Sequence, residues 1–375
     1  MDDLSAGFDV EPLLEGTEGD AREGRRRLLE ELAADGVAPE ELRAAVEEDR
    51  LVMIPVERVY SPPGERFAID QVAERAGVSR SVLERYMRAL GLRAPEPGEE
   101  VLTERDLEMA TLLRQFLDVG LPEEGLLEVT RVIGLAMSQV ARAVSQLTAD
   151  TILREGDSER DVAMRLAEAA RGLTPMASEI FDRVFRAHQL ELLRSEVVSS
   201  TEVAIGRFSG AQEVTVCFAD LVGFTSLGER LDPEEYGALT DRLAELVSDL
   251  VEPPVRLVKL IGDAAMLSSR ETEPLLNAAI GLQAAAANGE DLPQLRIGVA
   301  RGPAVARAGD LYGRAVNLAS RLTAIARPGS VLCDEATRND AGDSFEFSFA
   351  RSRRIKGIDG PVKLFRARPP EGDER

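Results

Sequence analysis

Between about residues 21 and 200, apolar side chains recur at spacings of three and four, the period of helices with one buried stripe. The segments AREGRRRLLEELAADG (21–36), PEELRAAVEEDRL (39–51), TERDLEMATLLRQFLDVG (103–120) and PEEGLLEVTRVIGLAMSQVARAVSQLTADTIL (122–153) read as helices, with Gly or Pro between them. A last helix is expected over TPMASEIFDRVFRAHQLELLRSEV (174–197), where Met176, Ile180 and Val184 form one stripe and Phe181 and Phe185 lie beside it. Such a stripe means core packing or helix pairing. The first twenty residues, rich in Asp, Glu and Gly, read as a loose tail (1–20). An all-helical domain is therefore expected over 21–200. SSTEVAIGRFSG (199–210) breaks the period, and residues 201–210 read as a linker.

Beyond this point the period shortens. EVTVCFADL (213–221) is a strand, PEEYGALTDRLAELVSDL (233–250) a helix, and VRLVKLIGDAAMLSS (255–269) two strands around a tight turn. A helix over 273–289, a strand over 294–302, a helix over 315–326 and a strand over SVLCDEAT (330–337) follow. The order strand–helix–strand–strand–helix–strand is that of a ferredoxin-like α+β core, assigned to 211–370. No internal repeat is apparent.

Composition narrows the setting. No apolar run approaches the roughly 18–20 residues of a membrane span, and MDDLSAGFDVEPLLEG (1–16) lacks the layout of a signal peptide. Cys217 and Cys333 lie in strand-like runs and read as core thiols, not a disulfide, so the expected compartment is the cytoplasm. The 375 residues carry a net charge of −22. Of this, −17 lies in residues 1–200 (24 basic, 41 acidic) and −5 in residues 201–375 (21 basic, 26 acidic). That balance argues against broad contact with a nucleic-acid backbone.

One composition bias points at chemistry. Of 45 Lys and Arg residues only three are lysine: Lys259, Lys356 and Lys363. Lys259 stands inside the apolar run VRLVKLIGD, four positions before Asp263. Three segments belong with it: FADLVGFT (218–225), VKLIGD (258–263) and GDLYGRAVNLASRL (309–322). Taken singly, an aspartate after a strand is a common helix cap and a Gly-Asp pair a common turn. Asn317 and Arg321, four apart, share one helix face, which is commonly just solvated.

Taken together, and in this order, the three segments resemble the class III nucleotidyl cyclases over about residues 205–370. The resemblance implies that Asp220 and Asp263 hold two divalent cations, Mg²⁺ or Mn²⁺, for which hard oxygen ligands are suited. It implies that Lys259 and Asp310 read adenine, where guanylyl cyclases typically carry Glu and Cys. A lysine donates to a ring nitrogen and a carboxylate accepts from the exocyclic amine. Asn317 and Arg321 match the family's transition-state pair, Lys356 its C-terminal triphosphate lysine, and Lys363 reads as a surface residue. One departure stands out. Some members carry an arginine after the Gly of the fourth-strand turn, and here Pro303 follows Gly302, leaving Arg301 and Arg314 as alternative sources of that charge. The single histidine, His188, lies upstream of the site, so no histidine base is expected. Because the family's site lies between two catalytic domains, a single chain holding all these residues implies a homodimer using ATP.

The helical half adds a second motif. FAIDQVAERAGVSRSVLERYMRALGL (67–92) has helix-turn-helix spacing at Ala73, Gly77 and Leu83 and resembles the start of a MerR-type DNA-binding domain. In an acidic helical domain it reads first as a packing unit, and DNA is not expected as a partner. An all-helical domain ahead of a cyclase core resembles the regulatory domain of actinobacterial adenylyl cyclases, which implies control of activity. His188, on the 174–197 helix, is the one side chain expected to titrate near neutral pH when unperturbed. The runner-up reading is a nucleotide-sensing DNA-binding regulator that keeps a cyclase-like domain.

Overall fold

The computed structural model describes residues 9–195, 210–289 and 292–369. The chain divides into two compact units, Met1–Leu193 and Arg194–Arg375. The division falls slightly before the expected boundary, and of the expected linker all but Gly210 lies outside the described residues.

The first unit is helical: α1 (Gly19–Ala34), α2 (Pro39–Glu47), α3 (Ile54–Tyr60), α4 (Ile69–Ala76), α5 (Arg80–Ala89), α6 (Glu104–Asp118), α7 (Glu123–Ile152) and α8 (Glu159–Ser195). Its first core cluster joins Leu28 and Leu29 of α1, Leu42 of α2, Ile54 of α3 and Ala163 of α8. Val10 and Leu14 are buried in the same cluster, so residues 10–14 are not the loose tail expected for 1–20. Two apolar side chains that find a core outweigh the acidic composition around them.

Helix α8 begins fifteen residues earlier than the expected start at 174 and runs through Pro175. Its N-terminus is set by reciprocal Ser158–Asp161 bonds, in which Ser158 Oγ donates to the Asp161 carboxylate at 2.6 Å and accepts from Asp161 N–H at 3.3 Å. Ala163, Ala167 and Ala170 are buried at helical spacing. Arg160 grips Glu31 of α1 through Nε and Nη2, at 2.8 and 2.6 Å. These ties fix the first turns of the helix, ahead of the proline, which removes one backbone donor. The stripe Met176, Ile180 and Val184 is 61, 55 and 48% exposed, so it is not core of this unit.

Helices α4 and α5 meet at Gly77, whose φ of +70° supplies the left-handed turn of the helix-turn-helix segment. Their core joins Phe67, Ile69, Val72, Leu83, Met87 and Leu102. The arginines of α5 face carboxylates: Arg80 meets Asp70 and Glu84, Arg85 meets Glu123 and Glu124, and Arg88 meets Glu84.

The second unit is α+β, as the period predicts. Its elements are β1 (Gln212–Leu221), α9 (Phe224–Leu227), α10 (Pro233–Leu250), β2 (Arg256–Ile261), β3 (Ala264–Ser269), α11 (Thr272–Asn288), β4 (Leu295–Arg307), β5 (Asp310–Gly313), α12 (Arg314–Ile325), β6 (Ser330–Asp334), α13 (Glu335–Ala341), β7 (Glu346–Arg354) and β8 (Pro361–Arg368). The sheet order is β2-β3-β1-β4-β6-β8-β7, with β5 paired to β4. The run β2-β3-β1-β4 is the ferredoxin-like core, antiparallel throughout. Strand β6 joins parallel to β4, and the β7–β8 hairpin extends the sheet.

One face of the sheet packs Cys217, Ala219, Leu267, Ile297 and Val299 against Leu243 and Val247 of α10 and Leu275, Ala279 and Leu282 of α11. The other packs Val216, Met266 and Ala300 against Ala315, Leu318, Ala319 and Leu322 of α12. The strand expected over 330–337 ends at Asp334, whose carboxylate accepts from Thr337 N–H at 3.0 Å and Thr337 Oγ at 2.6 Å and so starts α13.

Candidate active site

Asp220 stands one residue before the end of β1, opposite Ala264 of β3 and Arg296 of β4. Asp263 occupies the β2–β3 turn beside Gly262, whose φ is +58°. Leu221 N–H donates to the Asp263 carbonyl at 3.1 Å, which fastens this turn to the end of β1. The two aspartates are thus brought together from 43 positions apart by strand pairing alone. Burial pushes the Asp263 carboxyl above its ordinary range; the charge of Asp220 pushes the same way and that of Arg296 opposes it. Asp220 accepts a charge-assisted bond from Arg296 Nε.

Among the described residues no group of three or more His, Cys, Asp or Glu side chains could hold a metal. Two adjacent carboxylates fit a different kind of site, one for a hard cation that takes its remaining oxygens from water or a phosphate-bearing ligand. The residues present fit Mg²⁺ or Mn²⁺ on that donor chemistry.

Lys259 lies on β2 opposite Met266, next to a register shift between Leu257 and Lys259. Asp310 opens β5 after a turn in which Ala308 and Gly309 have φ of +51° and +75°. Lys259 Nζ donates to Asp310 Oδ2, so the two residues singled out for base reading meet within one chain. Asp310 Oδ1 accepts its neighbour's backbone N–H, from Leu311, at 2.8 Å. Strand alternation puts Asp220 on the face of Phe218 and Lys259 on that of Met266, which is the face α12 covers.

Helix α12 carries Asn317 and Arg321, and two glycines let it lie where it does. A Cβ on Gly298 of β4 would stand 2.2 Å from Thr323 N and 2.5 Å from the Ala319 carbonyl. A Cβ on Gly313, the residue before the helix, would stand 2.4 Å from the Pro303 carbonyl. Thr323 Oγ donates to the Phe218 carbonyl of β1 at 3.1 Å. Asn317 is exposed. Arg321 is half-buried, and its Nη1 is a buried donor without a hydrogen-bond partner. It lies against the β7–β8 turn, 3.0 Å from where a Gly357 Cβ would be, next to the exposed Lys356. A guanidinium held with an unused donor is suited to an anion.

The two arginines considered for the charge missing at Pro303 part company. Arg301 donates to Thr215 Oγ at 3.1 Å and the Arg270 carbonyl at 3.0 Å and pairs with Asp340 at 3.1 Å. Thr215 shares the face of Cys217, away from Asp220 and α12, so Arg301 belongs to the opposite side of the sheet. Arg314, exposed at the first position of α12, stays on the site's side. Lys363 pairs with Glu335 at 2.8 Å, as a surface residue.

Sequence reading missed Arg296, although the signal was there: a charge inside the apolar run QLRIGV, the same anomaly that exposed Lys259. It also missed Arg351, Arg353 and Arg354, exposed cations of β7 leading to Lys356. Their charge hides the alternation of a strand.

Comparison with known proteins agrees with this layout. Residues 6–193 match the family "Adenylate cyclase regulatory domain" and residues 208–366 match "Adenylate and Guanylate cyclase catalytic domain". A pH-sensitive adenylate cyclase from Mycobacterium tuberculosis (strain CDC 1551 / Oshkosh) is 37% identical over 366 residues, covering 96% of this chain and 91% of its own. An adenylate cyclase from Streptomyces coelicolor is 33% identical over 335 residues, covering 85% of this chain and 81% of its own. A crystal structure of the adenylyl cyclase CyaB from P. aeruginosa aligns with 44% of this chain and 99% of its own, at 22% identity and a TM-score of 0.40. With one of its family domains filling each unit and relatives matched along most of its length, this chain belongs to the class III adenylate cyclases that carry an N-terminal regulatory domain.

Proposed function

We propose that this adenylate cyclase converts ATP to 3′,5′-cyclic AMP and pyrophosphate at sites shared between two copies of the chain, each using two divalent cations held by Asp220 and Asp263. The observation that carries the reading is the buried Nη1 of Arg321, at the turn that holds Lys356 and Gly357, a cationic seat for phosphate to which the described residues supply no hydrogen-bond partner. Bound by the two carboxylates, Mg²⁺ or Mn²⁺ would neutralise the triphosphate and lower the pKa of the ribose 3′-hydroxyl.

The chain's own groups do the rest. Lys259 Nζ donates to the adenine ring nitrogen, and Asp310 accepts from the exocyclic amine. Guanine would set a carbonyl against the Asp310 carboxylate and be refused. Asn317 orients the ribose. Arg321 takes up the charge that grows on the α-phosphate as the 3′-oxygen attacks, and Lys356 holds the leaving pyrophosphate.

Apolar surface around these residues supports the second copy. Leu257, Leu260 and Ile261 flank Lys259 on β2 and are exposed, as is Tyr312 two residues after Asp310. Exposed apolar side chains clustered at a site are a common mark of an interface. The catalytic residues of one chain would then split, Asp220 and Asp263 serving one site and Lys259, Asp310, Asn317, Arg321 and Lys356 the other.

The test mixes two inactive proteins. Asp220→Ala and Arg321→Ala should each abolish cyclic AMP formation, because each breaks both sites of a homodimer. Co-expressed, they form heterodimers with one intact site and recover part of the activity. Heterodimers without activity would sink the shared-site reading.

We also infer that the helical unit controls the rate. The M. tuberculosis relative is named for pH sensitivity, which makes pH the first stimulus to vary. DNA binding finds little support, since the α5 arginines already face carboxylates.

A further inference from the structure

The chain carries a net charge of −22, yet residues 346–368, the β7–β8 hairpin, hold seven cations against two acids, or +5. That leaves −27 on everything else. Strand β7 is the outer edge of the sheet, and Arg351 and Arg353 are exposed on it. Arg351 lies across from Leu364 and Arg353 across from Val362. Leu364 and Val362 pack in the core beneath α12, so both arginines point to the face that α12 occupies. Half-buried Arg366 of β8, two residues from Leu364, shares that face. Among the described residues none of the three has an ion pair or a hydrogen bond from its side chain. The row runs to the turn that holds Lys356 and Gly357, against which Arg321 lies.

Like charges set side by side on neighbouring strands repel, so folding alone gives no reason to align them. Edge strands do use charge to prevent edge-to-edge pairing. Either sign serves that purpose, however, and the rest of this chain is acidic.

We infer that Arg351, Arg353 and Arg366 form an electrostatic guide that draws the polyphosphate of the nucleotide along β7 into the seat at Arg321 and Lys356. The inference rests on the reading of that seat as the phosphate site. A surface of −27 repels an anionic substrate, and the strip reverses the sign where the substrate has to enter. Arg351 stands five residues before Lys356, about 17 Å along an extended strand. Charges are screened over about 30 Å at 0.01 M salt and about 3 Å at 1 M. The strip therefore works over its whole length in dilute buffer and hardly at all in concentrated salt. None of its members has to touch the reacting atoms, so it acts on capture and leaves the chemical step alone. Its pull scales with ligand charge: ATP and pyrophosphate feel it, and adenosine does not.

The test uses the full chain and changes the two exposed members together, leaving half-buried Arg366 in place. The pairs are Arg351→Gln with Arg353→Gln, Arg351→Glu with Arg353→Glu, and Arg351→Lys with Arg353→Lys. In dilute buffer the Gln pair should raise the KM for ATP up to about tenfold at a nearly constant kcat. The Glu pair should raise it further, and the Lys pair should match the natural chain. Near 1 M salt all four proteins should converge. Competitive inhibition by pyrophosphate should weaken in step with KM, while inhibition by adenosine stays the same.

A strip that only protects the sheet edge predicts an unchanged KM in the Gln and Glu pairs, and that result overturns the inference. So does a loss that persists in concentrated salt, or one that adenosine shares, since either reports a structural change. If the Glu pair does not fold, the Gln and Lys pairs decide by the same criteria. Lys356→Gln separates the guide from the seat. Weaker pyrophosphate inhibition in Lys356→Gln, with none in the Gln pair, refutes the guide alone. Unchanged pyrophosphate inhibition in Lys356→Gln overturns the reading of the phosphate seat itself.

Discussion

Lys259 and Asp310 are 51 positions apart and bond to each other. Each balances the other's charge at a partly exposed position, so neither charge is held there alone. Replacing both, Lys259→Glu with Asp310→Cys, removes the donor and the acceptor that suit adenine. A mispaired polar group in a binding site costs about 1–3 kcal/mol, or roughly tenfold to a hundredfold in turnover of ATP. Rates with ATP and with GTP, measured side by side, check this. An unaltered preference for ATP in the double variant would show that these side chains do not read the purine.

The elements of the catalytic unit are fixed by a few contacts that secondary-structure patterns do not contain. Gly298 is one: α12 lies so close over it that any Cβ meets the backbone of Ala319 and Thr323. Gly298→Ala should push α12 off β4 and with it Asn317 and Arg321. We expect a loss of about 1–3 kcal/mol in urea unfolding and a fall in kcat larger than stability alone explains.

Asp334 is a second such contact. Its Oδ1 takes the Thr337 N–H and hydroxyl and the Arg301 N–H, while burial holds the carboxyl above its ordinary pKa. Asn can offer the same oxygen without the charge. A carboxyl whose folded pKa is raised costs stability where it is ionised, and the cost fades as pH falls through that pKa. At neutral pH Asp334→Asn should therefore be at least as stable as the natural chain. The natural chain should gain on it as pH drops below the raised value towards the ordinary carboxylate range. Thermal midpoints across that range give the answer, and a gap that widens on acidification would contradict it.

At the scale of the molecule, the helical unit carries most of the net negative charge and an exposed apolar stripe, Met176, Ile180 and Val184, on its last helix. Among the described residues no helix is long and apolar enough to cross a membrane. An apolar stripe in water seeks a partner helix. We expect it to link the state of the helical unit to the alignment of two catalytic units. His188 is exposed on the same helix. A chain beginning near residue 200 should differ from the full chain in maximal rate and in its profile between about pH 5 and 8. Equal rates, profiles and dimer affinities would remove the regulatory role.

Much of this was legible in the sequence because period and motif order are local properties. A spacing of three or four against two separated the helical half from the α+β half. The rarity of lysine, with a Gly-Asp turn four residues on, marked Lys259 and Asp263. Asn317 and Arg321 were readable as one helix face. Other features depended on distant neighbours. Val10 and Leu14 looked like tail until a core received them, Pro175 looked like a start until the ties before it held the helix, and Asp334 looked like strand until it capped α13.

The sharpest case lies within one strand. Arg296 and Arg301 are both on β4, five residues apart, so alternation alone puts them on opposite faces. Which face holds the site is settled only by pairing, which sets Arg296 against Asp220 and Arg301 against Thr215. The sequence by itself indicated most of the elements, the family and a set of candidate site residues. Strand register, a long-range contact between chain segments, decided which charges stand beside them.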